Sequence, residues 1–206
     1  MAKVIIDASV SLDGFVAGPN DGKQNPLGER GGEGIFQWYF SGKAPHPKVS
    51  MFKPEGANIE VVDEMFKEAG AMLTGRRTYE IAAGWPGGHP VPGLPIFILT
   101  HKPPPPDQVP KGQSKLTFVT DGIESAVRQA KAAAGAKHVG IGGASAAQQA
   151  LRAGLVDEIY LHVAPIVLGA GVRLLDELGD HAFKLDLIRA FTAPHATHLR
   201  YRVLRR

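Results

Sequence analysis

The stretch AMLTGRRTYE, Ala71 to Glu80, changes character at Gly75. Ala71–Thr74 are mostly apolar and suit a buried strand, whereas the residues from about Arg77 suit a short helix. A helix start already carries unpaired N–H groups and partial positive charge. Two adjacent guanidinium groups there are locally unfavourable unless an anion sits beside them. A strand that runs into an anion-binding helix start is one unit of a parallel sheet flanked by helices, and the chain on either side repeats that rhythm.

Upstream, Asn58 is placed to cap a helix in which Ile59, Val62, Met65, Phe66 and Ala69 recur at helical spacing. Before it, residues 20–57 form a Gly/Pro-rich segment interrupted by IFQWYF, Ile35 to Phe40. A stretch of this length reads as a lid or binding loop, and its aromatics argue for packing rather than disorder. The first strand is Lys3–Val10, leading into the turn-rich SLDGFVAGPNDG. Downstream, the helix after Gly75 stops at GWP, Gly84 to Pro86; strands PIFILT (95–100) and KLTFVT (115–120) flank His101-Lys102 and four prolines. Asp121 with Glu124 reads as a capping box for a helix, KHVGIGG as a strand ending in glycines, and Ser145 with Gln148 as a further cap. The tail alternates at Ile159, Leu161, Val163 and at Leu199, Tyr201, Val203, with a hairpin turn at Ala193–His195. About eight strands and four helices result. The expected fold is α/β: a mostly parallel mixed sheet with an antiparallel C-terminal edge and helices on both faces, in a single domain over residues 1–206.

The chain has 206 residues, 44% of them hydrophobic, enough for one sizeable core. Lys and Arg number 23 against 20 Asp and Glu, and basic residues pair only at Arg76-Arg77 and Arg205-Arg206, which argues against nucleic acid as a partner. There is no cysteine, so disulfides and thiolate chemistry are excluded, and a reducing cytoplasm is the expected location. Asp7 interrupts the only candidate signal-peptide core and no apolar run reaches membrane-spanning length, so no membrane association is expected.

In open α/β sheets, ligands bind where strands deliver their C-terminal ends. Those ends read Gly75-Arg76-Arg77-Thr78, Thr100-His101-Lys102 and Gly142-Gly143-Ala144-Ser145. The first suits a phosphate through fork-like bonds, the second a further phosphate, and the third a close backbone approach to a pyrophosphate. Singly, each has a plain alternative: a solvated face, a loop, and an incomplete G-x-G-x-x-G with Ser145 in place of the last glycine. Jointly they describe a site for an extended ligand with several phosphates.

The ordered set VSLDGFVAG, GRRTYE, ILTHK, GIGGAS and DEIYLHVAPIVLGAGVRLL resembles the dihydrofolate-reductase-like family, in the branch of the riboflavin-biosynthesis reductase domain and its stand-alone relatives. The resemblance implies a three-layer, eight-stranded mixed sheet and an NADPH cofactor. It places cofactor phosphates near Gly75, Arg76, Arg77 and Thr78, and the 2′-phosphate near Thr100, His101 and Lys102. The pyrophosphate and nicotinamide-ribose side would lie along Gly142, Gly143, Ala144 and Ser145, with Ala8, Ser9 and Val16 near the nicotinamide. The anion for the arginines would then be a cofactor phosphate.

The expected activity is hydride transfer to a small flat heterocycle such as an aminouracil or pterin, which needs positioning, a dry wall and a proton source but no protein nucleophile. No G-x-S-x-G or H-E-x-x-H competes, and His195 and His198 read as ordinary exposed histidines rather than a metal pair. Candidate proton sources are Asp13, Glu60 and Asp63; each also reads as a turn-forming or solvated acid. Trp38 and Tyr39 could stack on the substrate, anchor the loop locally, or meet a second copy in a homodimer. The alternative to an enzyme is a nucleotide-binding module that keeps the cleft without turnover.

Overall fold

The computed structural model describes residues 2–85, 89–180 and 182–204. Among the described residues, ten strands and four α-helices follow one another as β1 (Val4–Ser11), β2 (Phe15–Ala17), α1 (Asn58–Glu68), β3 (Ala69–Gly75), α2 (Arg76–Ile81), β4 (Ile96–Leu99), β5 (Leu116–Val119), α3 (Ile123–Ala134), β6 (His138–Gly142), α4 (Ala144–Arg152), β7 (Glu158–Ala164), β8 (Val172–Arg173), β9 (Leu185–Ala193) and β10 (Ala196–Val203). Eight form one sheet in the order β5-β4-β3-β6-β1-β7-β10-β9, and β2 pairs with β8 in a small ribbon. From β5 to β7 neighbours run parallel; β10 and β9 are antiparallel. The expected mixed sheet with an antiparallel C-terminal edge is therefore the architecture found.

Side-chain alternation along β1 builds the two cores. Val4, Ile6 and Val10 pack with Leu73, Ile141, Ala126, Ala130, Ala147 and Leu151 beneath α3 and α4. Ile5 faces the other way, with Trp38, Phe52, Val61, Val62 and Tyr160 beneath α1. Alanines on α3 and α4 let both helices lie close to the sheet. The Gly/Pro-rich segment is not structureless: it carries a 3-10 helix, Gly32–Phe40, whose Ile35 and Trp38 are buried. Before this helix the chain doubles back, with Gly18 N–H bonded to the Leu27 carbonyl. Gly28, at φ +71°, lies so close to Gly18 that a Cβ would overlap its backbone, which explains glycine there.

Three expected caps take other forms. Asn58 lies inside α1, and its amide reaches the Pro194 carbonyl instead of the helix start. Gly122 precedes α3 with no side-chain cap, and Asp121 is exposed. Gly143 precedes α4, leaving Ser145 in the first turn as acceptor for Gln149, while Gln148 bonds the Arg173 and Leu174 carbonyls. Backbone turns at glycine made the capping side chains unnecessary. Helix α2 ends at Ile81, before the expected stop, of which Pro86 lies outside the described residues. So does Arg205-Arg206. The hairpin turn falls as expected, with Ala193 opposite Ala196 and His195 at φ 62°.

Candidate functional site

Strand register brings the three motifs together. Thr74 lies opposite Gly142 and Gly75 opposite Leu99, so the C-terminal ends of β3, β4 and β6 finish side by side. The Thr74 hydroxyl donates to the Gly142 carbonyl at 2.8 Å and ties two of these ends together. Along this rim runs a groove of about 990 Å³. Gly75, Arg76, Arg77 and Thr78 form one wall, Thr100, His101 and Lys102 one end, and Gly143, Ala144 and Ser145 the floor, with Val16 and Phe36 from the opposite side. Ala8, Ser9 and Gly142 lie outside its lining. Ala8 packs on the main core, Gly142 backs the floor, and buried Ser9 accepts the Trp38 indole N–H at 3.0 Å.

The local chemistry of the groove favours an anion. No side chain caps the first turn of α4, so its N–H groups remain available beside Gly143. Gly143 has φ +90°, and a Cβ there would strike the Thr78 hydroxyl. A Cβ on Gly75 would meet nothing, so that position opens into space. Arg76 donates to Glu80 at 2.7 Å and to the Lys102 carbonyl, linking the ends of β3 and β4. The tight turn at Thr100, whose hydroxyl bonds Lys102 N–H and carbonyl, projects exposed His101 and Lys102 toward solvent. Arg77 is engaged by Asp21: Nε donates to Oδ2 at 3.1 Å and Nη2 to the Asp21 carbonyl at 2.8 Å. That ion pair holds the Arg77 guanidinium above its ordinary value. Asp21 was not anticipated. It sits among turn residues, and no local pattern marks it as a partner 56 positions from Arg77.

The candidate proton sources do not converge on the groove. Asp13 accepts from the Ser11 hydroxyl at 2.7 Å, Leu168 N–H at 3.1 Å and Gly169 N–H at 2.7 Å. The Ser11 bond, with the two backbone donors, draws its carboxyl down to about 2. Glu60 is exposed on α1, and Asp63 pairs with Lys48 at 2.5 Å. Trp38 is 1% exposed and stacks on Tyr39 with ring centroids 3.7 Å apart, so it is an anchor of the loop. Tyr39 is half-buried, and burial together with the Asp7 charge pushes its hydroxyl upward.

A second polar cluster lies across the 3-10 helix from the groove. A cavity of about 50 Å³ is lined by Asp7, Trp38, Tyr39, Glu64, Tyr160 and His162, among others. Asp7 accepts from His162 Nε2 at 3.0 Å; His162 Nδ1 lies 2.7 Å from His198 Nδ1; and His198 Nε2 lies 2.9 Å from Asn58 Oδ1. His198 is completely buried, not the exposed histidine expected from its position after a turn, because β10 pairs inward with β7. Burial, then the neighbouring His162 and Arg189, push it down to about 3. Arg189 makes a two-pronged ion pair with Glu64, at 2.8 and 2.6 Å, and also donates to the Tyr160 hydroxyl. Asp7, His162 and His198 sit on three strands, and only the sheet order brings them together.

Comparison with known proteins adds a common pattern. The family model described as the RibD C-terminal domain matches residues 2–199. The chain is 24% identical over 199 residues to the uncharacterized protein YwjB of Bacillus subtilis (strain 168), covering 97% of each. Among solved structures, a putative riboflavin biosynthesis protein from Shewanella sp. PV-4 superposes with a TM-score of 0.68 at 21% identity, covering 100% of both chains. A pyrimidine reductase-like protein from Corynebacterium diphtheriae gives 0.60 at 15% identity, covering 100% of this chain and 93% of its own. A diaminohydroxyphosphoribosylaminopyrimidine deaminase/5-amino-6-(5-phosphoribosylamino)uracil reductase from Thermotoga maritima gives 0.62 at 11% identity, over 98% of this chain and 57% of its own.

Proposed function

From the premise that the chain belongs to the RibD C-terminal domain family, we propose that it is an NADPH-dependent reductase acting on a small flat heterocycle of the aminouracil or pterin kind. One observation carries this reading: Gly75–Thr78, Thr100–Lys102 and Gly143–Ser145 share one groove at the C-terminal rim of the sheet. The residues fit the cofactor. Lys102, with the Arg76 guanidinium bonded to its carbonyl, would receive the 2′-phosphate; the open first turn of α4 would receive the pyrophosphate; and Val16 with Phe36 would wall the nicotinamide end. When bound, NADPH would supply a hydride. The chain's own contribution is orientation, exclusion of water by the loop bearing Phe36, and fixed positive charge.

Titration of NADPH against the purified protein tests the reading. Enhanced nicotinamide fluorescence saturating below high-micromolar concentration is expected, followed by loss of reduced-nicotinamide absorbance when an aminouracil or pterin substrate is added. No binding refutes it. A nucleotide-binding module without turnover is the second reading, favoured by Trp38 filling the space over Ser9. NADPH binding with no oxidation across a substrate panel would select it.

A further inference from the structure

The hydrogen-bond chain Asp7–His162–His198–Asn58 fixes its own proton count. The Asn58 amide nitrogen donates to the Pro194 carbonyl at 3.0 Å and faces the Ser41 hydroxyl at 3.4 Å, so Oδ1 is the atom turned to His198. A flipped amide would set oxygen against the Pro194 carbonyl. His198 Nε2 must therefore carry a hydrogen to bond Oδ1, and His162 Nε2 must carry one to bond the Asp7 carboxylate. That leaves the two Nδ1 atoms, 2.7 Å apart. With no proton between them, two lone pairs would face each other inside the protein at hydrogen-bonding distance. With one, all three bonds form, and the pair carries a single positive charge balanced by Asp7.

The surroundings say where that charge sits. Burial first, and after it Arg189 of β9, oppose it on His198, which is held neutral. Asp7 of β1 lies 3.0 Å from His162 Nε2. The rings packed against the pair are Tyr160 of β7, Phe191 of β9 and Trp38 of the 3-10 helix; Tyr39 lines the same cavity, and Glu64 of α1 is already matched by Arg189. The chain has one open end. The Asp7 side chain is 40% exposed, while both imidazoles are buried, and Asp7 and His162 line the small cavity beside Trp38. The same 3-10 helix supplies Phe36 to the lining of the large groove and Trp38 and Tyr39 to the lining of this cavity.

We propose that His162 is held doubly protonated by Asp7 and His198 and is the proton store of the reaction, with Asp7 as its outlet. This rests on the reductase reading and names an acid other than Asp21, whose carboxylate in the groove is held by Arg77. NADPH, when bound, would supply a hydride to the carbon of a substrate C=N or C=O bond, while the His162 Nε2 proton passes to the Asp7 carboxylate and from there to the substrate nitrogen or oxygen. Asp7 is left as the carboxylate, and solvent entering the cavity returns the proton to the His162 imidazole. The dihydronicotinamide is oxidised, the substrate double bond is reduced, and one proton is drawn from water per turnover.

Histidine-labelled protein without cofactor gives the first test, by long-range proton–nitrogen spectra near pH 7.5. Both His162 nitrogens are expected at protonated positions, with His198 protonated on Nε2 alone; an unprotonated nitrogen on His162 overturns the proposal. The second test is single-turnover NADPH oxidation by Asp7→Asn. A rate at least about tenfold lower is expected, given the size of general-acid effects, with NADPH affinity unchanged within about twofold and partial rescue with a shifted pH profile in Asp7→Glu. An unchanged rate overturns the outlet role. Nicotinamide fluorescence separates the two readings. A protein that binds no NADPH refutes the reductase reading together with the donor role, whereas one that binds NADPH with a neutral His162 refutes this proposal alone.

Discussion

Each charged group around the groove has a different degree of freedom, and the differences predict behaviour. Lys102 is exposed at the end of the tight turn after β4, whereas Arg77 is already held by Asp21. Lys102→Ala is expected to weaken NADPH by about 10- to 100-fold, the worth of one charge-assisted bond to phosphate, and NADH by less than about twofold. Comparing the two dissociation constants by fluorescence checks this, and equal losses would remove Lys102 from the 2′-phosphate. Asp21→Asn, which removes the countercharge of Arg77 but keeps the backbone-carbonyl bond, should tighten NADPH a few-fold in the same titration. Asp13 belongs to a different account. Its carboxyl is drawn below its ordinary 3.8 to about 2 by Ser11, Leu168 and Gly169. A group depressed in the folded state adds stability that is complete above its unfolded value and disappears as pH falls through the folded one. Melting temperature should therefore fall as pH drops from about 4 toward 2, and Asp13→Asn should both lower the neutral-pH value and flatten that acid limb.

Among elements, the 3-10 helix Gly32–Phe40 bears most on the site, because Trp38 fills the layer between β1 and α1 while Phe36 lines the groove. Trp38→Ala should destabilise the fold by about 3–5 kcal/mol in urea unfolding, as expected for a large buried aromatic. It also orphans the Ser9 hydroxyl. The edge strand β9 shows Leu187 59% and Ile188 43% exposed, an apolar edge that a second copy could cover. A homodimer by light scattering is expected, with Leu187→Lys shifting it toward monomer; a wild-type monomer at micromolar concentration would count against that use of the edge. Strand–helix alternation and the final hairpin were readable because apolar period and turn residues are local signals. The caps at Asn58, Asp121 and Ser145 were misread because Gly122 and Gly143 turn the backbone themselves, and Asn58 is drawn to His198 by a contact 140 residues away.

At the scale of the whole molecule, a ligand that binds only the folded chain raises its stability by mass action. NADPH at about 100 times its dissociation constant should add about 2.7 kcal/mol and raise the melting temperature by about 5–10 °C for a chain of this size. Scanning calorimetry with and without NADPH measures it, and no shift would remove the cofactor from the groove. The groove was foreseeable because each of its motifs lies within a few residues in sequence. The histidine pair was not, since His162 and His198 meet only through the register of β7 against β10.

Strand β6 takes its place between β1 and β3 although it is made long after both. On a ribosome, then, the early strands wait with a gap at the middle of the sheet until residues 138–142 emerge to close it. A product terminated before Gly143 would lack Gly143, Ala144 and Ser145 from the groove lining, so the proposed cofactor site would become complete only late in synthesis.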